Sequence, residues 1–230
     1  MTDARTEVLS RIKLALTPSI GPAARTPRPA ATSTYFGADH EWETATCGDA
    51  LLALLTERIV DYQASVTRVE PGGVAEVVGR LLAGAERAVV PPGLDRSWLA
   101  VAAAAGTAVV ADDPARALST AELDAVDVAV TASCLAVAET GTIVLDSSPD
   151  QGRRALSLVP DHHVCIVRAE DVVRGLPAAM ARLDITRPIT WISGPSATSD
   201  IELRRVEGVH GPRRLDVVLV VAGDEATVGA

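Results

Sequence analysis

The chain has 230 residues, 48% of them hydrophobic but only 3% aromatic, and a formal net charge of −9. A core this poor in aromatics is built from Val, Leu, Ile and Ala, which favours helices packed on a Val-rich sheet over a β-sandwich. The acidic balance argues against nucleic acid as a partner. Lys13 is the sole lysine and lies in a polar segment near the start, so a Schiff-base lysine and a GxxxxGK[ST] phosphate loop are both excluded.

Taken in chain order, residues from about Thr2 to Leu16 place Val8, Leu9, Ile12, Leu14 and Leu16 at amphipathic helical spacing. Residues 17–34 carry four prolines and few apolar side chains, and read as an extended linker. Residues 1–45 are therefore expected to form a helix and linker, and residues 46–230 one α/β domain. Within that domain a helix is expected over Asp49 to Tyr62, then a strand at SVTRVE. A helix follows from Gly73 to Ala85, and RAVVPP is a strand stopped by its prolines. Asp95 to Ala105 is a helix, TAVVAD a strand, the region near Thr120 a short helix, and VDVAVTASC a strong strand. This alternation predicts an open, mostly parallel sheet with helices on both faces, of about seven or more strands.

The second half changes texture. AVAET and GTIVLD read as short strands around a Thr-Gly turn, and HHVCIVR as another strand. A helix is expected from about Ala169 to Leu183, a strand at PITWIS, a helix opening within SATSDIELRRV, and a closing strand at RLDVVLVVA. No run approaches the ~20 apolar residues of a membrane span, and the start MTDARTEVLSRIKLAL lacks the apolar core of a signal peptide. Cys47, Cys134 and Cys165 form no CxxC and offer no local iron–sulfur motif. A cytoplasmic protein with reduced thiols is expected.

Three segments place Gly, Ser, Thr and acidic residues beside strong strands. In Ala138-Glu-Thr-Gly-Thr142, Gly141 permits a positive φ or a close backbone approach, and Thr140 and Thr142 supply hydroxyls. Glu139 interrupts an apolar run, and a buried charge is costly unless satisfied. It is a satisfied structural residue, a surface turn residue, or a site carboxylate acting as acid, base or nucleophile. In Ser193-Gly-Pro-Ser-Ala-Thr-Ser-Asp-Ile-Glu202, Gly194 and Pro195 make a turn. Ser199 and Glu202 have capping-box spacing, and free N–H groups with Ser196, Thr198 and Ser199 suit an anion, while the acidic Asp200 and Glu202 weigh against phosphate and toward a hydroxyl-bearing ligand. In Gly208-Val-His-Gly-Pro212 the glycines present His210 on a turn. Arg153 and Arg154 follow a polar loop and have the geometry to clamp a carboxylate or phosphate. His162 and His163 point to opposite faces of a strand, so at most one joins a given site. Cys134 and Cys165 read as core thiols. No metal is expected.

Four motifs occur in order: AETGTIVLDSS; then R-x-x-S-x-x-P-x-x-H as Arg154, Ser157, Pro160 and His163; then SGPSATSDIE; then EGVHGP. Together they resemble the lactate-utilization (LUD) domain family, in its cluster-free branch, over roughly Val66 to Ala222. The resemblance implies a fold similar to ribose-5-phosphate isomerases, CoA transferases and 5-formyltetrahydrofolate cyclo-ligase. It implies a cytoplasmic role in oxidising L-lactate to pyruvate, beside two partner proteins that carry the iron–sulfur clusters. It names no cofactor and leaves open whether this chain is itself catalytic and whether it is a homo-oligomer.

The expected site is one pocket at the carboxyl ends of the parallel strands, binding a small carboxylate. Glu139, Thr140, Gly141 and Thr142 form one wall. Ser196, Thr198 and the helix N-terminus after Ser193 and Gly194 hold an anionic group, Asp200 stands beside them as a further ligand-binding residue, His210 shuttles a proton, and Arg154 holds the carboxylate. Two rivals stay open: a non-catalytic scaffold or small-acid sensor that organises partners, and an isomerase or acyl-transfer enzyme that uses Glu139.

Overall fold

A computed structural model describes residues 6–8, 10–11, 48–198, 206–207 and 211–222. The chain divides into two compact units, Met1–Glu41 and Trp42–Ala230. In the first, the described residues are helical and exposed, and Glu7 pairs with Arg11 at 2.7 Å, one helical turn apart.

The second unit is built on a six-stranded sheet. Its strands are β1 (Ser65–Val69), β2 (Arg87–Val90), β3 (Ala108–Ala111), β4 (Val128–Ala132), β7 (His162–Arg168) and β12 (Arg214–Val220). They lie in the order β1-β12-β7-β4-β2-β3, and every pair is parallel. Parallel sheets are covered on both faces, so their central strands read as continuous apolar runs; all five residues of β4 are buried. On one face, α2 (Val74–Leu81), the 3-10 turn Arg96–Leu99 and α3 (Ala100–Ala104) set Val77, Val78, Leu99 and Ala102 against Val90, Val130, Val164 and Val218. On the other, α1 (Asp49–Asp61) sets Leu52, Leu55 and Ile59 against Cys165, Val167, Val217 and Leu219. Farther along that face, α4 (Thr120–Asp124), held by a capping box between Ser119 and Glu122, places Leu123 over Val89 and Ala129 with Leu156.

A second sheet extends the first. β5 (Leu135–Val137) follows β4 directly and pairs antiparallel with β6 (Thr142–Leu145). This is the expected hairpin about the Thr-Gly turn. β8 (Val172–Val173) joins β5 in parallel and β9 (Thr190–Ile192) joins β6 antiparallel, giving the order β8-β5-β6-β9. One face buries Ala136, Ile143 and Leu145 together with α1. The other buries Leu135, Val137 and Val144 beneath Ala179 and Leu183, which belong to α5 (Leu176–Arg182) and the residue after it. Burial on both faces explains why the sequence from Val128 to Leu145 carries so little alternation.

Two expectations are corrected. The strands divide between sheets of six and four and a short ribbon, rather than one sheet of seven or more. The helix expected over Ala169 to Leu183 starts only at Leu176, because Val172 and Val173 add a strand to the second sheet. At the two ends of SATSDIELRRV and just beyond, Ala197–Thr198 (β10) pairs antiparallel with Val206–Glu207 (β11). Residues 199–205, with the expected Ser199–Glu202 capping pair, lie outside the described residues. No helix among the described residues is long and apolar enough to cross a membrane.

Candidate functional site

The turn between β5 and β6 is a single 3-10 turn, Ala138–Thr140, closed by Gly141 at φ 61°. A Cβ at Gly141 would lie 2.8 Å from the backbone carbonyl carbon of Arg58, in the last turn of α1. Glycine is therefore required twice over, by the left-handed backbone and by the close approach. Glu139 is not a buried charge. Its side chain is 39% exposed, its Oε1 lies 3.4 Å from Arg174 Nε, and its N–H donates to the Arg174 carbonyl at 3.0 Å. The carboxylate that interrupts the apolar run sits at the surface end of a hairpin, beside a guanidinium.

A row of hydroxyls links this turn to the next segment. Thr140 and Thr142 share a hydrogen bond of 2.7 Å, and Thr142 and Ser193 one of 2.8 Å. Pairing of β6 with β9 sets Ile143 opposite Ile192, so Thr142 and Ser193 continue that register. Gly194, at φ 84°, packs on Tyr62: a Cβ there would meet the Tyr62 carbonyl oxygen at 2.7 Å. Ser196 N–H then donates to the Pro212 carbonyl at 2.8 Å. A Cβ added at Gly211 would lie 3.6 Å from Ser196 Cβ. Thus Thr140, Thr142 and Ser193 are linked by side-chain hydrogen bonds, Glu139, Gly141, Gly194 and Ser196 lie beside them along the chain, and Ser196 reaches the turn after His210. Thr198 pairs with Val206 in the β10–β11 ribbon. Asp200 and His210 lie outside the described residues.

The place of this cluster differs from expectation. Tyr62 stands three residues before Ser65, where β1 begins, and Pro212 two before Arg214, where β12 begins. The three segments therefore gather toward the amino ends of β1 and β12, not at the carboxyl rim. The cause is the second sheet: β5 leads the chain away from the end of β4, and the packing of Gly141 on Arg58 brings the turn to the far end of α1.

Arg154 is separated from this cluster. It lines a cleft of about 670 Å³ at the carboxyl ends of β2 and β3, with Pro92, Asp112, Ser147, Ser148 and Arg187 among its walls. The turn at Gly141 and the loop after Leu145 lie at opposite ends of β6, roughly 13 Å apart for four residues. Arg154 therefore does not complete the pocket expected of it. Within the cleft, Arg153 makes a two-pronged bond to Asp112, at 2.6 and 3.0 Å, and bonds the Leu118 carbonyl. The hydrogen bond to Asp112 holds the Arg153 pKa above its usual value against the opposing effect of burial. Arg187 pairs with Asp146 at 2.8 Å. A second hollow, of about 620 Å³, opens at the carboxyl ends of β1 and β12 beside Asp49, Arg68 and Glu70. Sequence reasoning missed Asp112, Ser147, Ser148 and Arg187. The signal available was the polar run from Asp146 to Arg154, directly after a buried strand.

The two adjacent histidines part as expected. His162 meets Asp216 at 2.7 Å, and Arg214 Nε donates to the same oxygen at 2.7 Å. Burial pushes the Asp216 carboxyl up, but the bonds and charges of His162 and Arg214 outweigh it and hold the pKa below the ordinary value. His163 is 1% exposed on the opposite face, with Nε2 2.9 Å from Thr131 Oγ1. Burial, assisted by the neighbouring His162, lowers its pKa to about 4. Cys165, beside Thr131, is pushed by burial to about 12, and burial also raises Cys134. Both thiols are unsuited to nucleophilic or ligating roles at neutral pH.

The sequence profile of the LUD domain matches residues 73–220. The chain belongs to the LUD domain family. Lactate utilization protein C of Deinococcus radiodurans is 48% identical over 174 residues, covering 74% of this chain and 79% of that one. Lactate utilization protein C of Bacillus subtilis is 38% identical over 41% of this chain and 42% of its own length. A crystal structure of a DUF162 family protein from Deinococcus radiodurans superposes with a TM-score of 0.62 at 42% identity, covering 74% of this chain and 96% of that one. All the segments quoted for the resemblance from AETGT to GVHGP fall inside the LUD profile match.

Proposed function

We propose that this LUD domain protein acts in lactate utilization, as the cluster-free component of a cytoplasmic system that oxidises L-lactate to pyruvate alongside iron–sulfur partners. The observation that carries this reading is the 48% identity, over most of both chains, to a relative named for lactate utilization. The residues of this chain fit a cluster-free role. Cys134 and Cys165 both have raised pKa values, and no cysteine pair has ligand spacing. Electron exchange then falls to partners or to a bound cofactor.

On this reading the chain binds a small anionic ligand and positions it. The hydroxyl row Thr140, Thr142 and Ser193, with Ser196, is the polar wall at the amino ends of the strands. Glu139, with Arg174 beside it, and His210 are the groups assigned to proton movement. Gly141 and Gly194 let the two turns approach α1, Thr198 belongs to the ribbon that follows, and Asp200 is assigned to ligand binding from the sequence alone. The test is growth. A strain lacking this chain fails to grow on L-lactate while growing on pyruvate, and the wild-type chain restores it. Normal growth of the deletion strain on L-lactate would overturn the reading. A Glu139→Gln chain that restores growth fully would remove Glu139 from the chemistry and leave the hydroxyl row as a binding surface alone.

A further inference from the structure

The cleft at the carboxyl ends of β2 and β3 lies at the opposite end of β6 from the hydroxyl row, and its lining is unlike it. Three arginines, Arg153, Arg154 and Arg187, are among its lining residues. Two are committed: Arg153 to Asp112, whose side chain is 2% exposed, and Arg187 to Asp146, at 8%. The Arg154 guanidinium has no hydrogen-bond or ion-pair partner among the described residues, so the lining carries one uncompensated positive charge in a chain of net charge −9. Such a charge in the lining of a cleft favours an anion.

The loop that forms one wall is held under constraint. Ser147 adopts φ 60°, a backbone conformation that residues other than glycine rarely take. It is held there by its neighbours. Ser148 N–H donates to Asp146 Oδ1 at 3.1 Å, and Asp146 N–H donates to the buried Gln151 side chain at 2.6 Å. Farther along, the Asp150 carbonyl accepts from Ala132 N–H at 2.9 Å, tying the loop to the end of β4. Strain that a surrounding network keeps in place marks functional sites more often than inert loops. Here it places Ser147 and Ser148 in the cleft wall, where Ser148 Oγ accepts from Arg187 at 3.1 Å.

The rest of the lining sets the class of anion. Pro92, Pro114, Pro149 and Pro188 contribute rigid apolar ring surface. Phosphate sites gather several N–H donors or cations on one group. A single free guanidinium beside proline rings suits a carboxylate head, bound by two parallel hydrogen bonds, with an apolar body behind it. The cleft, at about 670 Å³, also has room for more than a three-carbon acid. We propose that this cleft is a second ligand site, for an organic carboxylate whose head pairs with Arg154 and whose body packs on the prolines. The proposal does not depend on the lactate reading.

The probes are phenylpyruvate, benzoate, pyruvate and inorganic phosphate, titrated calorimetrically into the full chain. Phenylpyruvate and benzoate are expected to bind saturably and more tightly than pyruvate, with phosphate weakest. Arg154→Gln should weaken phenylpyruvate at least about tenfold, the loss of a charge-assisted pair, and Arg154→Lys by less, because it keeps the charge and loses the fork. Glu139→Gln should leave the affinity unchanged. Arg154 is exposed and unpaired, so its variants should unfold at the wild-type denaturant midpoint. Absence of saturable binding by every carboxylate, equal affinity in Arg154→Gln, tighter binding of phosphate than of benzoate, or equal loss in Glu139→Gln would each overturn the proposal.

Discussion

Glu139 shows what a single residue does and does not disclose in sequence. That a carboxylate amid apolar residues marks the end of a hairpin follows from the Gly beside it and the strands on either side. Its partner Arg174 stands thirty-five positions on and is brought near only by β8, a two-residue strand with no sequence signature. Gly141 is more demanding. Alanine at 141 would place a methyl 2.8 Å from the Arg58 backbone at φ 61°, so Gly141→Ala should lower stability by about 2 kcal/mol, measured by urea unfolding. A loss below about 0.5 kcal/mol would show that α1 yields at this contact. His163 makes a pH-dependent claim. Its folded pKa of about 4 lies below the unfolded value of 6.5, so the unfolded chain binds the proton more readily. Stability attributable to keeping it neutral is complete above pH 6.5 and is lost as pH falls toward 4, by roughly 3 kcal/mol. Asp216 acts lower: its carboxyl is held below 3.8, and its contribution is lost only as pH falls through that folded pKa. Denaturation midpoints between pH 7.5 and 4.5 should fall in the wild type and fall less in His163→Asn. Equal slopes in the two proteins would remove His163 from the account.

At the scale of elements, the parallel strands are readable because each is a Val-rich run beside a helix with 3.6-residue periodicity. The order of alternation also carries the right class of sheet. What periodicity cannot supply is a choice among partners. β5 and β6 have the same apolar texture as β4, so nothing local says that they leave the main sheet and pair with β8 and β9. The helix expected to open within SATSDIELRRV, capped by Ser199 and Glu202, falls on residues outside those described; what the sequence did not announce is the two-residue pairing of Ala197–Thr198 with Val206–Glu207 on either side of it. The loop from Asp146 to Arg153 is an element in its own right, fixed by buried polar groups. Removing Arg153 would strand the Asp112 carboxylate, which keeps only the Leu118 N–H as a donor. Arg153 is 40% exposed, so water offsets part of the loss. Arg153→Met should cost about 2 kcal/mol, below the range for a fully buried broken pair. The exposed Arg58→Met, which loses pairs at 3.3 and 3.5 Å, should cost less than about 0.5 kcal/mol. Paired denaturation curves check the ranking, and equal losses would mean the Asp112 pair is no stronger than a surface one.

Over the whole molecule, every residue of the described hydrophobic core lies between Leu52 and Leu219, in the second compact unit. The class of fold was therefore written in the part of the chain with regular apolar runs. The candidate site was only partly so: its hydroxyls were readable as a group, but their end of the sheet was set by the detour through β5 and β6, and Arg154 went to the other side. The first unit contributes exposed helical residues, with Glu7 and Arg11 paired across one turn, a contact worth a few tenths of a kcal/mol. A chain that starts at Trp42 retains the whole of that core, so it should unfold cooperatively within about 3 °C of the full chain by circular dichroism. The same deletion separates the two roles left open for the protein. A chain that works by holding partners through its N-terminal segment should, without it, keep its affinity for phenylpyruvate and fail to co-purify with the iron–sulfur proteins or to restore growth on L-lactate. A chain whose work is done at the sheet should restore growth without residues 1–41. A fall in Tm beyond about 10 °C would show instead that the N-terminal unit is part of the folded core.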